Sequence, residues 1–148
     1  MANGTPVVLT RLLGDAGAWP LDGGTRWRDG RPLLGRSKTW RGLVGAVVAT
    51  TVAGWALGVA LGLAAVVALA ALVGDAASSF TKRRLGVPSS GQALGLDQIP
   101  ECLLPTLVAA GPLGLGLVDV VAVVVVFFAG ELALSRVLYR LNIRDRPY

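Results

Sequence analysis

The sequence predicts an all-α, polytopic integral membrane protein of about four transmembrane helices, paired in two hairpins, with a polar site on the cytoplasmic face. Three observations carry this. Hydrophobic residues make up 53% of the 148 residues and charged ones 16%, with a mean hydropathy of +0.63, which is more apolar surface than a soluble core of this size buries. That apolar content is gathered in two blocks, Leu43 to Val73 and Cys102 to Leu134. Basic segments border both blocks: Arg26, Arg28, Arg31, Arg36, Lys38 and Arg41 before the first; Lys82, Arg83 and Arg84 between them; Arg136, Arg140, Arg144 and Arg146 after the second. If all three segments stay on the cytoplasmic side, each block crosses the membrane an even number of times.

The elements follow in order along one membrane domain. Residues 1–38 are rich in Gly, Asp, Arg, Pro and Trp with little periodicity, and read as a structured cytoplasmic loop. Pro6 to Leu13 is too short for a cleavable signal and contains Arg11. Residues 39–80 form the first hairpin. A block of roughly 31 residues would rise about 46 Å as one helix, against about 30 Å of hydrocarbon. Two helices fit instead, Thr39 to Leu57 and Val59 to Phe80, turning in the region of Gly58 and Gly62, with Trp40 at the basic interface and Trp55 at the far one. Residues 81–99 contain Pro88, Ser89, Ser90 and Gly91 and read as a flexible cytoplasmic loop. The second hairpin, residues 100–138, is interrupted by Pro105, Gly111-Pro112, Gly114, Gly116 and Asp119, which gives helices Pro100 to Leu115 and Leu117 to Leu138. Residues 139–148 are a basic tail.

Composition also narrows the chemistry. A net charge of +5 raises the question of nucleic acid, but the cations sit in short stretches beside apolar runs without aromatic interleaving, so no nucleic-acid partner is expected. There is no histidine, which excludes a Ser-His-Asp relay, an imidazole base and His-ligated zinc or iron. Cys102 is the single cysteine, so there is no intrachain disulfide, and it reads as a small packing residue. Carboxylates, Lys, Arg, hydroxyls and a hard metal ion remain.

Those groups cluster at one end of the apolar blocks. Asp75, Ser78, Ser79 and Lys82 are spaced i, i+3, i+4 and i+7, on one helix face. They read either as a helix end with ordinary cytoplasmic charge, Asp75 pairing Lys82 or Arg83, or as a site, the usual role of ionisable groups at membrane depth. Lys38, Thr39 and Arg41 lie in the stretch Gly35 to Gly42 at a helix start, which suits either a phosphate cradle or a positive-inside cap; the spacing is not that of a Walker loop. The hairpin returns Asp75 to the side of Lys38. Asp97 and Glu101 at the start of the third helix are either partners for its dipole or, with Asp75, carboxylates for a magnesium ion completed by water and substrate phosphates. Asp119 reads as a solvated turn residue, and Glu131 as half of an interhelical pair.

Taken in order, Asp22-Gly23-Gly24, Asp29-Gly30-Arg31, Leu34-Gly35, Lys38-Thr39-Trp40-Arg41-Gly42, Gly74-Asp75, Ser79-Phe80, Lys82-Arg83-Arg84-Leu85-Gly86 and Leu96-Asp97-Gln98 resemble the CDP-archaeol synthase family over about Ala2 to Glu101. These are archaeal relatives of phosphatidate cytidylyltransferases. The resemblance implies a multi-pass enzyme of the cytoplasmic membrane, its active site facing the cytoplasm, that uses CTP and Mg2+ to convert a phosphatidate-like lipid phosphate into a CDP-lipid with release of pyrophosphate. It implies catalytic roles for Lys38, Asp75, Lys82 and Asp97, substrate contacts from Thr39, Arg41, Ser79 and Arg83, and magnesium ligation by Asp75, Asp97 and Glu101. Histidine is dispensable for that reaction, because a lipid phosphate monoester is largely dianionic near neutral pH and attacks without a general base. The difficulty is repulsion between anions, which a metal and several cations relieve.

The chain also departs from the family pattern. Family members usually carry a further membrane helix ahead of a segment like Ala2 to Pro6, Thr81 stands where an apolar residue is common, and Pro100 replaces an acidic residue often found after Asp-Gln. The rival readings are a non-catalytic or degenerate membrane subunit of the family, and another lipid-phosphate transferase, for which the dense Asp-Gly and Asp-x-x-x-Asp pattern is missing. Diacyl and ether lipids are not separated, since generic apolar residues meet the tails, and a homodimer is left open.

Overall fold

The computed structural model describes residues 4–89 and 91–140, so the expected positions of Ala2, Asn3, Ser90, Arg144 and Arg146, and most of the basic tail, lie outside the described residues. Five helices follow one another: α1 (Gly4–Leu13), α2 (Trp40–Ala56), α3 (Leu61–Arg84), α4 (Gln98–Leu113) and α5 (Leu117–Arg140). Among the described residues there is no strand, only two isolated bridges in the α1–α2 connection, Pro20 with Thr39 and Arg26 with Pro32. Each helix packs on its neighbour in sequence: α1 on α2, α2 on α3, α3 on α4, α4 on α5.

The two long hairpins turn at glycine. After α2 the chain reverses at Gly58 (φ +83), and after α4 at Gly114 (φ +66), both in the left-handed region that a side chain resists. Gly62 lies inside α3 and takes no part in the turn. The expected breaks at Pro105 and Gly111-Pro112 do not occur, since α4 runs through both prolines to Leu113. Thr106 Oγ1 donates to the Cys102 carbonyl at 2.7 Å and is satisfied within the helix.

Residues 4–13 differ from expectation too, being helical where a loop was expected. Pro6 falls in the first turn of α1, where its missing N–H is harmless, and ten residues are too few to show a period. Two glycines of α2 let α1 come close. A Cβ on Gly42 would lie 3.1 Å from Pro6 Cβ, and one on Gly45 only 2.5 Å from Leu9 Cδ1.

Among the described residues, α3 and residues Leu117–Val137 of α5 are the two helical segments long and apolar enough by themselves to cross a membrane. With 17 and 16 residues, α2 and α4 rise about 25 Å each, slightly less than a hydrocarbon core. The interior is built from small side chains: Ala46, Ala64, Ala68, Ala71, Cys102 and Ala109 are buried, and the largest fully buried side chain is Ser78. Large apolar residues such as Val44, Val48, Val73, Val121 and Val126 are exposed. Lipid solvates large apolar side chains as well as a protein core does, so helices in a membrane associate through the small residues that allow close approach.

Candidate functional site

The site grows from the last three turns of α3. Ala64, Ala68, Ala71, Gly74 and Ser78 form a seam of small residues along one face, and the polar groups extend it. Of the described glycines, Gly74 lies tightest against another segment. A Cβ there would lie 2.2 Å from the Pro100 carbonyl oxygen and 2.9 Å from the Glu101 nitrogen, so the start of α4 rests directly on the turn of α3 that carries Asp75. Ser78 donates to the Gly74 carbonyl at 2.9 Å and is satisfied within its own helix. Ser79, Lys82 and Arg83 are buried.

Two lysine–aspartate pairs join separate segments here. Lys38 Nζ lies 2.5 Å from Asp75 Oδ2, and Lys82 Nζ lies 2.5 Å from Asp97 Oδ1. Asp75 thus pairs with the lysine before α2 and with neither Lys82 nor Arg83. Lys82 also donates to the Gly91 carbonyl at 2.9 Å, while Asp97 Oδ2 accepts the Ala93 N–H at 2.7 Å, so this pair ties the 91–97 loop to α3. Asp75 Oδ1 has no protein partner among the described residues.

Lys38 is held in place by the α1–α2 connection, and Asp22 organises that connection. Its Oδ1 accepts the Gly24 N–H, and its Oδ2 accepts those of Leu34 at 2.9 Å and Gly35 at 3.2 Å. Partial burial alone would raise the Asp22 pKa, but these N–H groups together hold it below the ordinary carboxylate range. The Lys38 carbonyl then accepts from Leu21 N at 2.7 Å. The connection is clamped to the end of α3 by Arg84, which pairs with Asp29 at 2.5 Å and lies 5.0 Å from the Phe80 ring centroid, and by Trp27, edge-on to Phe80 at 5.4 Å. Arg31 adds hydrogen bonds to the Arg83 and Arg84 carbonyls.

These segments enclose a polar cavity of about 260 Å³, lined among others by Lys38, Asp75, Ser79, Lys82, Arg83, Asp97, Gln98 and Glu131. Three cations and three carboxylates meet there. Arg83 is 4% exposed, and its Nε and Nη1 have no hydrogen-bond partner, which leaves a desolvated guanidinium on the wall where an anion would satisfy it. Lys38 and Asp75 also line a second, apolar cavity of about 180 Å³ bounded by Pro6, Val7, Leu21, Leu43, Leu72 and Ala76. The first ion pair, together with Val7 and Ser37, is therefore a partition between a polar and an apolar space.

The expected site residues separate into two groups. Lys38, Asp75, Ser79, Lys82, Arg83 and Asp97 share the polar cavity. Thr39 and Arg41 do not line it: Thr39 Oγ1 caps α2 by accepting the Gly42 N–H at 3.1 Å, and Arg41 holds the end of α1 through the Gly14 and Ala16 carbonyls. Glu101 lines a different cavity, of about 380 Å³, with Cys102, Thr106 and Phe127. The carboxylate that joins Asp75 and Asp97 is Glu131, whose signal in the sequence was a lone acid in an apolar helix. No three carboxylates lie close enough to cage a metal among the described residues. Asp75 and Asp97 line the same cavity, and the spare oxygen of Asp75 suits a magnesium ion that takes most of its oxygens from phosphates and water.

Known proteins share this chain's pattern. A profile described as CarS-like, CDP-archaeol synthase, matches residues 2–63 and 56–148, so the likeness runs past Glu101 into the second hairpin. The CDP-archaeol synthase of Pyrococcus horikoshii is 44% identical over 108 residues, 66% of this chain and 60% of that protein, and that of Sulfurisphaera tokodaii is 35% identical over 135 residues, 87% and 81% of the two chains. Against the Pyrococcus and Thermococcus relatives the chain spans about 60% of their length. A solved structure of an intramembrane enzyme for archaeal membrane lipids biosynthesis superimposes with a TM-score of 0.68 at 36% identity, over 90% of this chain and 85% of that one.

Proposed function

Since the chain belongs to the CDP-archaeol synthase family, we propose that it is a CTP-dependent cytidylyltransferase that converts an archaeal ether-lipid phosphate to the corresponding CDP-lipid with release of pyrophosphate. The observation that carries this reading is the junction of the two cavities at Lys38 and Asp75. A lipid phosphate has one charged end and one apolar end, and here a polar space abuts an apolar one across a shared wall that holds the Lys38–Asp75 ion pair. In this reading α2 to α5 cross the bilayer as two hairpins with the basic segments that flank them on the cytoplasmic side, so the tails stay in lipid while the headgroup reacts.

The polar cavity receives the triphosphate. Lys38, Lys82 and the unpartnered guanidinium of Arg83 neutralise the phosphate oxygens, and Ser79 donates to one of them. Lys38, on the partition, lies between the entering lipid phosphate and the α-phosphate of CTP. An oxygen of the lipid phosphate forms a bond to the α-phosphorus, the bond from that phosphorus to the β-bridging oxygen breaks, and pyrophosphate leaves with the electron pair. Asp75 and Asp97 would hold the Mg2+, which supplies neutralisation of charge on the phosphates when bound. Lys38 and Lys82, now paired with these aspartates, would be released to the phosphates.

The test is purified protein in detergent with CTP, Mg2+ and, in parallel, an ether-lipid phosphate and a diacyl phosphatidate, reading pyrophosphate and CDP-lipid. Asp75→Asn is expected to lower turnover by at least about 100-fold, the scale of losing a charge-stabilising group, with an unchanged thermal transition. Wild-type protein that forms no CDP-lipid, or an Asp75→Asn variant as active as wild type, overturns the proposal.

A further inference from the structure

One buried side chain of the polar cavity is unused by the chemistry above. Gln98 opens α4, lines the cavity and is 6% exposed. Its orientation is fixed by hydrogen bonding. Gly95, in a left-handed turn at φ +80, donates its N–H to Gln98 Oε1 at 2.7 Å. A backbone N–H only donates, so the oxygen must face Gly95 and the amide nitrogen is the free end. Nε2 makes no hydrogen bond to protein among the described residues, so it remains a free donor on a side chain that lines the cavity. Gln92 lines the same cavity, and its Oε1 is buried without a donor. A locked donor and a waiting acceptor thus share one cavity.

Resting on the reading of this cavity as a nucleotide site, we propose that Gln98 reads the base and selects cytosine over uracil. Cytosine offers two adjacent acceptors, N3 and O2, to the Gln98 amide, and its N4 amine donates to Gln92 Oε1. Uracil carries a hydrogen on N3, which meets the Gln98 N–H head on. Gln98 cannot turn its oxygen toward that hydrogen without breaking its bond to Gly95. Gln92 has no such lock and can present either end, so it adds affinity and the choice of base falls to Gln98. Asp97, the preceding residue, pairs with Lys82 and so marks the phosphate end of the same cavity.

The experiment is competition of UTP against radiolabelled CTP on the purified full chain in detergent with Mg2+. Wild type is expected to prefer CTP. Gln98→Glu keeps an oxygen for the Gly95 N–H and puts a second acceptor where the donor was, so the CTP-to-UTP ratio should shift toward UTP by about tenfold or more, the scale of one base-edge hydrogen-bonding pair. A ratio that stays constant while both nucleotides weaken assigns Gln98 to phosphate or to folding and overturns the proposal. Should Gln98→Glu lack a thermal transition, Gln98→Met decides: CTP binding should fall and UTP binding hold, and a parallel fall overturns it. Wild-type protein that binds neither nucleotide overturns the parent reading. Wild type that binds CTP, with variants that leave the ratio unmoved, overturns the assignment of Gln98 alone.

Discussion

The helices α3 and α5 are each 24 residues long and both are apolar enough to cross a bilayer, yet they do opposite work. Helix α5 is the more hydrophobic of the two and hides little, with Val120 and Ser135 buried and most of its other valines exposed. Helix α3 is interrupted by alanine, glycine, serine and charge, and buries eight residues, four of them polar or charged: Ser78, Ser79, Lys82 and Arg83. High hydropathy therefore marks the helix that faces lipid. The helix that organises the protein is the one whose apolar run is diluted by small residues, because small residues let neighbouring backbones approach and close backbones shield polar groups from lipid. Gly74 joins the two roles, since it seats α4 against α3 and precedes Asp75.

Substituting matched glycines tests that contrast with the largest expected effect. Gly74→Ala drives a methyl into the Pro100 carbonyl, backbone that cannot step aside, and should destabilise the protein by about 3 kcal/mol or more. Gly130 of α5 has open space around its Cα, so Gly130→Ala should be neutral or gain up to about 1 kcal/mol of helix propensity. Thermal unfolding in micelles measures both, and equal losses would remove the distinction between the helices. Next in size, Lys82→Met strands Asp97 Oδ1 and the Gly91 carbonyl, for a loss of about 2 kcal/mol, whereas Arg136→Met on the exposed face of α5 should stay within about 0.5 kcal/mol. Hydrogen exchange adds a local readout: the Ala93 amide, bonded to Asp97, should exchange faster in Lys82→Met alone.

The smallest effect expected is a pH response confined to the connection clamped on α3. The folded Asp22 carboxyl titrates below its unfolded value, so its contribution is complete above the unfolded pKa and is lost as pH falls through the folded one. Acidification below about pH 4 should then loosen the loop around Trp27 and change its fluorescence while Tyr139 on α5 reports nothing. In Asp22→Asn the Trp27 signal should be altered already at neutral pH and flat on acidification. A wild-type trace flat to pH 2 would show that Asp22 does not hold the connection.

Much of this was legible in the sequence wherever the cause is local. The turns at Gly58 and Gly114 follow from glycine's access to positive φ, and the shared face of Asp75, Ser79 and Lys82 from the helical repeat. Helix α1 was not legible, because ten residues with an early proline carry no period and their stability comes from the groove that Gly42 and Gly45 open in α2. The part Asp22 plays in closing the connection was not legible either, since its Oδ2 serves N–H groups at Leu34 and Gly35, far along the chain.

The sequence by itself determined that apolar segments alternate with basic ones, where the chain reverses, and which residues of α3 travel together, because each of these depends on neighbours within a turn or two. Only the tertiary structure decided which carboxylate joins Asp75 and Asp97, which aspartate each lysine takes, and that Gln98 turns its amide nitrogen away from Gly95. Those outcomes depend on how far each helix is rotated about its axis, and that rotation is set by backbone contact at Gly74 and Pro100, which no spacing along one helix encodes.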